Sequence, residues 1–194
     1  MITAISFLSA SVAQAAEVTM TFQSTISSHL KNDENSTQPD VAIFPLNQAV
    51  TFSYTYDPAT AHTAVDGGIA TYTVTGTFKL VIGAKEWTAT TCKIRVGDYE
   101  GAATPTDLLD LEFTAAPPAG FTEASHIIRL SITGNPAPES LTTGNALPST
   151  TNSPVLSSCS SFQVSLEPVT APATLIPWVV HFTKPSSVAV INSP

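Results

Sequence analysis

Apolar residues alternate with Ser, Thr and other polar residues over most of the chain, and this period of two constrains the fold more than any other feature. In the first such stretch, Val18, Met20, Phe22 and Ile26 fall on one face, as in a half-buried β-strand. Similar stretches follow: Gln48–Asp57, Ile69–Ile82, Trp87–Val96, Leu108–Phe113, Ile127–Ile132, Phe162–Leu166, Trp178–Phe182 and Val188–Ile191. No window shows a sustained 3.6-residue period, so the sequence predicts an all-β fold with little helix.

Proline and glycine separate these stretches. Pro58 ends the second stretch because proline cannot donate to the ladder, and Pro117 and Pro118 end another. Gly76, inside a long β-branched run, predicts a bend or a bulge. Many short strands with proline-rich connections predict an antiparallel β-sandwich or jelly-roll-like fold. The chain of 194 residues is long enough for one such domain over residues 16–194.

Residues 1–15 predict a secretory signal peptide. The stretch from Met1 to Val12 is apolar or small, and Ala13-Gln14-Ala15 has the A-x-A form of a cleavage site. The usual basic start is missing, since the first basic residue is Lys31, and a buried N-terminal strand or helix is the alternative. No stretch reaches the ~20 apolar residues of a membrane span. We therefore expect an exported bacterial protein, extracellular or at the cell surface, with no membrane span.

Charge limits the range of partners. Charged residues make up 11% of the chain, and 7 Lys and Arg against 15 Asp and Glu give a net charge of −8. No basic cluster is present, whereas binding to phosphates requires several clustered cations. Nucleic acid is therefore excluded as a partner, and anionic membrane surfaces are disfavoured for the same reason.

The chain has two cysteines, Cys92 and Cys159. In an exported protein, one such pair predicts a disulfide. It would close a loop of about 67 residues and stabilise the fold by about 4 kcal/mol on the chain-entropy account. The alternative is two buried free thiols.

Two runs resemble a group of secreted bacterial β-sandwich proteins that often carry PEP-CTERM sorting tails. Val50–Asp57 (VTFSYTYD) is similar to their G-x-Y-T-Y-D strand, and Phe78–Ala89 (FKLVIGAKEWTA) is similar to their F-T-V-T-I-G-G-x-x-F-T-A hairpin. The resemblance covers most of residues 17–184 as a pattern of strands and turns, and it implies a secreted β protein. It brings no shared catalytic residues to this chain. The closing residues 188–194 (VAVINSP) lack the Pro-Glu-Pro motif, apolar span and basic cluster of a sorting tail, so the resemblance does not imply anchoring by that route.

Acidic residues in three turns are the candidate metal ligands. Asp57 ends a strand, Asp66 precedes Gly67-Gly68 and Asp98 follows Gly97. Loop carboxylates of this kind suit a structural calcium ion, although the D-x-D-x-D-G spacing is absent. The alternative is that Asp57 and Asp66 cap turns through their own backbone. Asp107 and Asp110 lie three residues apart, so a strand would place them on opposite faces and they make no acid–base pair.

Aromatic residues could stack against sugar rings. Tyr54 and Tyr56 share the parity of Val50 and Phe52, which indicates that they belong to the core. Tyr99, in an acidic loop, and Trp178 are the better candidates for ligand binding.

No nucleophile elbow, metalloprotease motif, phosphate loop or dinucleotide fingerprint is present. The leading hypothesis is therefore a non-enzymatic structural protein of a matrix or filament. Glu17–Ile26 could insert into the sheet of a neighbouring copy. The alternative is a carbohydrate-binding module for an extracellular polysaccharide, and a hydrolase on a sandwich fold ranks third.

Overall fold

The computed structural model describes residues 17–29, 44–97, 107–121, 125–134, 141–142, 144–151, 153–169, 178–182 and 187–192. The strands in these ranges are β1 Val18–His29, β2 Ala49–Tyr56, β3 Ala64–Asp66, β4 Ile69–Ile82, β5 Lys85–Gly97, β6 Asp107–Ala115, β7 His126–Gly134, β8 Cys159–Pro168, β9 Trp178–Phe182 and β10 Ser187–Asn192. A 3-10 turn at Leu156–Ser158 is the one helical element among them, and no helix there could cross a membrane. The prediction of an antiparallel all-β fold with little helix is confirmed. The predicted signal peptide, residues 1–15, lies outside the described ranges.

Most strands that follow one another along the chain are neighbours in the sheet; the exceptions are β2 and β3, and β9 and β10. The order is β10-β1-β2-β4-β5-β6-β7-β8-β9, and the short β3 pairs with β4. β9 pairs with β8 on one edge and with β1 on the other, so the pairing joins eight strands in a ring. The sheet is therefore a meander that curls until its ends meet, and the finer prediction of a sandwich or jelly roll is not confirmed.

The ring is joined incompletely at two places, which we call the seams. At one seam, β5 pairs with β6 only through Lys93–Gly97. At the other, β1 pairs with β9 only between Ile26 and His29. The seams divide the curled sheet into a five-stranded part, β10-β1-β2-β4-β5, and a four-stranded part, β6-β7-β8-β9.

The inner face of the curled sheet forms one apolar core. Rings from the two parts meet across it: Phe22 lies 6.1 Å from Phe162, and Phe52 lies 6.0 Å from Phe113, between centroids. Strand burial alternates residue by residue along β2, β6 and β7, as the sequence predicted. Each large apolar side chain buried in this way contributes about 1.5–3 kcal/mol. The core therefore supplies the main force that holds the two parts together.

The predicted irregularity at Gly76 is confirmed as a bulge. The register between β4 and β5 shifts between Thr75 and Phe78. At the same place β2 approaches so closely that a Cβ on Gly76 would lie 1.8 Å from the carbonyl oxygen of Thr55. Glycine is therefore required here by the contact with the backbone of β2. A bulge increases the local twist and bends the strand.

One end of the core is closed by the segment 141–158. The buried carboxylate of Asp107 accepts hydrogen bonds from the backbone N–H groups of Leu141, at 2.7 Å, and Thr142, at 3.3 Å. The buried Tyr56 hydroxyl donates to the carbonyl oxygen of Pro148, and Tyr72 donates to that of Asn145 at 2.6 Å. Buried polar groups need such partners, because a buried donor or acceptor without a hydrogen bond costs about 1–3 kcal/mol.

The predicted disulfide is wrong: Cys92 and Cys159 are both buried and no disulfide joins them. Two strands, β6 and β7, lie between β5 and β8 in the sheet. Along the strands, Cys159 lies at the level of Gly134 and Asp107, whereas Lys93, next to Cys92, lies at the level of Glu112. That offset of about six residues corresponds to ~20 Å. A disulfide needs Cα atoms within about 7 Å.

We predict that Gly76→Ala destabilises the protein by roughly 1–3 kcal/mol, because the backbone of β2 must move to admit the new Cβ. Thr75→Ala is the matched control, since Thr75 is exposed on the same strand and its replacement should change stability by less than about 0.5 kcal/mol. Urea unfolding of both variants measures the difference. Equal stability of the two variants would show that the close approach of β2 to β4 does not constrain the fold.

Candidate functional site

The described surface has a cleft where β5 and β6 part, which we call the β5–β6 cleft. Pairing stops at Lys93 and Glu112, but β5 reaches back to Lys85 and β6 runs on to Ala115. The cleft has a volume of about 640 Å³, within the range of about 300–1,000 Å³ that is usual for binding sites. No backbone pairing among the described residues joins Lys85–Cys92 to another strand on this side.

The parting of the strands has a local cause. Trp87 and Ala89 face inward on β5, and Cys92 faces inward further along, whereas Thr90 and Thr91 are both exposed. The inward parity of β5 therefore changes opposite the Gly76 bulge of β4. The extra twist of a bulge turns the first half of β5 away from β6.

Threonine dominates the lining of the cleft. The hydroxyl-bearing residues are Thr73, Thr77, Thr88, Thr90, Thr91 and Thr114. Ala89, Cys92 and Phe113 supply apolar surface, and Lys93 and Glu112 are the charged residues at the narrow end. A surface of hydroxyls and open backbone groups offers hydrogen bonds in both directions without charge.

An aromatic cluster fills the interior near the wide end of the cleft. Trp87 of β5 stacks on Phe44 at 6.3 Å and meets Phe121 edge-on at 5.7 Å, between ring centroids. The Trp87 indole N–H donates to Nδ1 of His126, the first residue of β7, at 3.2 Å. Trp87, Phe44 and His126 are fully buried. This cluster links β5 to β7 behind the cleft where β5 and β6 no longer pair.

An ionic ladder crosses the outer face beyond the narrow end. Arg95 pairs with Asp110 at 2.5 Å, and Arg129 Nε lies 2.7 Å from Glu112. Arg129 also contacts Glu167 on β8. Hydrogen bonds to Glu112 and then to Glu167 raise the pKa of Arg129. A groove of about 220 Å³ lies along this ladder, but its arginines are already paired with carboxylates of the same face.

The buried thiol and phenols are poor nucleophiles. Burial is the main reason that the pKa of Cys92 is raised to about 12, and it also raises the pKa of Tyr54 and of Tyr56. The reactive form of a cysteine is the thiolate. A thiol with such a pKa supplies almost none of it at neutral pH.

The predicted metal ligands are not brought together in the described ranges. Oδ1 of Asp57 accepts a hydrogen bond from the backbone N–H of Ala59 at 2.8 Å. Asp57 therefore caps its own turn, as the alternative to metal binding predicted. Asp66 is exposed on β3, and Asp98 lies outside the described residues. Within the described part of the chain, no group of three His, Cys, Asp or Glu side chains is placed to hold a metal ion. The structural calcium ion stays a prediction.

The aromatic candidates divide into two groups. Tyr54, Tyr56, Tyr72 and Trp87 are buried, which confirms the assignment of Tyr54 and Tyr56 to the core. Tyr99 lies outside the described residues. Trp178 begins β9, opposite Leu166 of β8, and its proposed part in ligand binding stays a prediction. Asp107 and Asp110 do lie on opposite faces: Asp107 is buried inside, and Asp110 pairs with Arg95 on the outer face.

Sequence reasoning missed both the cleft and the ionic ladder. The ladder had a signal in Lys93 and Arg95 on one strand and Asp110 and Glu112 on the next, since opposite charges at a spacing of two can pair across strands. The cleft depends on where the pairing of β5 with β6 stops. In the sequence, the only indication of that place is the change of parity between Ala89 and Cys92.

Comparison of the chain with protein-family models, with curated proteins and with solved structures found no match.

The state of the cysteines predicts the result of a thiol titration. With Ellman's reagent at pH 8, the folded protein should react very slowly, because both thiols are buried. A pKa of about 12 for Cys92 leaves on the order of one thiolate in 10⁴. In guanidinium, two thiols per chain should react without any added reductant. If they appear only after reduction, the cysteines form a disulfide.

A double-mutant cycle tests the aromatic cluster. His126→Leu removes the acceptor of the buried Trp87 N–H, so we expect a loss of about 1–3 kcal/mol. The double variant with Trp87→Phe should lose less free energy of unfolding than the sum of the two single losses, because the indole N–H that lacks a partner is then absent. Strict additivity of the two losses in urea unfolding would show that the hydrogen bond does not contribute.

Proposed function

We propose that the protein is a non-enzymatic structural protein, exported to the cell surface or beyond, that joins copies of itself by β-strand addition along the open edge of β5. The observation that carries this proposal is the end of the β5–β6 pairing at Lys93, which leaves Lys85–Cys92 paired with β4 on one side and with no strand of the described structure on the other. An edge of this kind presents backbone donors and acceptors to any extended segment.

Beyond Lys85 and Glu86 at its start, this edge lacks the usual protection against pairing. Native edges are commonly blocked by proline or by charged side chains, especially lysine. Trp87–Cys92 (WTATTC) has neither, and its charged neighbours, Glu86 and Lys93, flank it. Such an uncharged six-residue segment of β-forming residues without proline or glycine is typical of strands that associate.

The site of association differs from the one predicted from the sequence. The sequence suggested that Glu17–Ile26 could insert into a neighbouring copy, but β1 pairs with β2 along one edge and with β10 and β9 along the other. Donating it would break both sets of pairs and expose Met20 and Phe22 of the core. Addition at β5 requires no strand to leave its own sheet.

Two further predictions support this function and belong to the proposal. Val50–Asp57 and Phe78–Ala89 resemble strands of secreted bacterial β-sandwich proteins, and we propose that the two parts of the curled sheet, which pack over one core, act as the two layers of such a sandwich. The A-x-A pattern before Ala16 supports export.

Carbohydrate binding remains the second candidate because of the hydroxyl lining of the β5–β6 cleft. Four of the Tyr and Trp side chains that could stack on sugar rings, those of Tyr54, Tyr56, Tyr72 and Trp87, are buried in the core. This leaves Tyr99 and Trp178 as the residues to test.

Substitution at the β5 edge tests the proposal. Thr90 is exposed and lies opposite the bulge, and proline and lysine are the residues that natural proteins place at bulges and on strand edges. We expect the wild type to form assemblies that grow with concentration. Thr90→Pro and Thr90→Lys should require roughly tenfold more protein, which corresponds to about 1.4 kcal/mol. Sedimentation velocity over a range of concentrations measures this.

Thr51→Lys is the matched control, because it adds the same charge on β2, which is paired along both edges. A wild type that stays monomeric at every concentration would overturn the proposal, and so would equal effects of Thr51→Lys and Thr90→Lys. Retention on a polysaccharide gel that Tyr99→Ala or Trp178→Ala abolishes would favour the carbohydrate-binding module.

A further inference from the structure

We infer that the strand added at the open edge of β5 is β10 of a second copy, so that copies join head to tail. This inference rests on the proposed function and names the partner in it.

β10 is the second strand with an open edge. It pairs with β1 through Val18–Gln23, and no described strand pairs with its far side. β9 occupies the same edge of β1 further along, at Ile26–His29, and there it also pairs with β8. The far edge of β10 is therefore open for the same reason as that of β5: each borders a seam where the ring is only partly joined.

The two open edges lie at the ends of one continuous register row. Ala189 of β10 is opposite Thr21, Thr21 is opposite Ser53, Ser53 is opposite Lys79, and Lys79 is opposite Thr88 of β5. The five-stranded part is thus a sheet whose two outer strands are both available for pairing at the same level. A second copy shifted along this row would place its β10 beside β5 and continue the sheet.

The direction and chemistry of the strands are compatible with this contact. Neighbours in the five-stranded part are antiparallel at each of four steps, so β10 and β5 run in the same direction and the new pairing is parallel. Parallel pairing is only slightly weaker per residue than antiparallel pairing. β10 (SVAVIN) carries no charge, proline or glycine, so nothing in it opposes pairing with Trp87–Cys92.

The consequence is an assembly without a fixed size. The contact joins the β5 edge of one copy to the β10 edge of another, so the two surfaces that meet are different. Such a heterologous contact produces an open filament unless the rotation between copies closes a ring. Pairing between two β5 edges would instead be isologous and would end at a dimer.

Mixing two blocked variants separates these possibilities. Thr90→Lys blocks the β5 edge and leaves β10 intact. Ala189→Lys, at a position opposite Thr21, blocks β10 and leaves β5 intact. We expect each variant alone to be monomeric at concentrations roughly tenfold above those at which the wild type assembles, and an equimolar mixture to form dimers that do not grow. Sedimentation velocity distinguishes these species, and far-ultraviolet circular dichroism checks that each variant is folded.

Two other outcomes would contradict the inference. Dimers of Ala189→Lys alone would show β5–β5 pairing, which overturns the head-to-tail inference but leaves association at β5 intact. A wild type that never assembles would overturn the proposed function and the inference together.

Cysteine cross-linking provides a test with smaller substitutions. Thr88→Cys and Ala189→Cys occupy the two ends of the same register row, and both native cysteines are buried. On mixing and mild oxidation, the two variants should cross-link at least several-fold faster than Thr88→Cys mixed with Thr21→Cys, whose new thiol lies on a strand paired along both edges. Equal rates would overturn the inference.

Discussion

The fold depends on the need to bury one face of every strand. The inner side chains of β1, β2 and β4–β8 are apolar apart from a few buried polar residues, which include Ser24, Asp107 and His126, and a single flat sheet would leave that whole face in water. Curling brings Phe22 against Phe162 and Phe52 against Phe113, so that opposite parts of the same sheet cover each other. The sheet cannot curl in this way and keep every strand paired along its whole length. Backbone pairing is therefore lost at the two seams.

Most of the strands, and which face of each is buried, could be predicted from the sequence. The parity of Val50, Phe52 and Tyr54, and the bulge at Gly76, are local properties that a short window of residues contains. The seams could not be predicted in this way, because the place where β5 parts from β6 depends on the bulge of the neighbouring strand β4 as well as on the change of parity at Thr90 and Thr91. Strand order was also beyond local reasoning: the same alternation suits a sandwich and a curled meander.

The two cysteines illustrate the same limit. Sequence separation and compartment made a disulfide plausible, but the distance between two residues in a sheet depends on register and strand order. The ladder from Cys159 through Gly134 to Asp107 leads to the opposite end of β6 from the level of Cys92. Among the candidate ligands, Asp57 was correctly given a turn-capping alternative, because its hydrogen bond to Ala59 spans only two residues.

The two thiols have a consequence for the stability of the protein in different surroundings. No sulfur–sulfur bond contributes to the fold, so folding needs no oxidant and gains nothing from one. The chain can therefore reach the same structure in reducing and in oxidising surroundings. Assemblies held together by strand pairing would withstand reductants that dissolve disulfide-linked matrices, and they would yield instead to agents that compete for backbone hydrogen bonds.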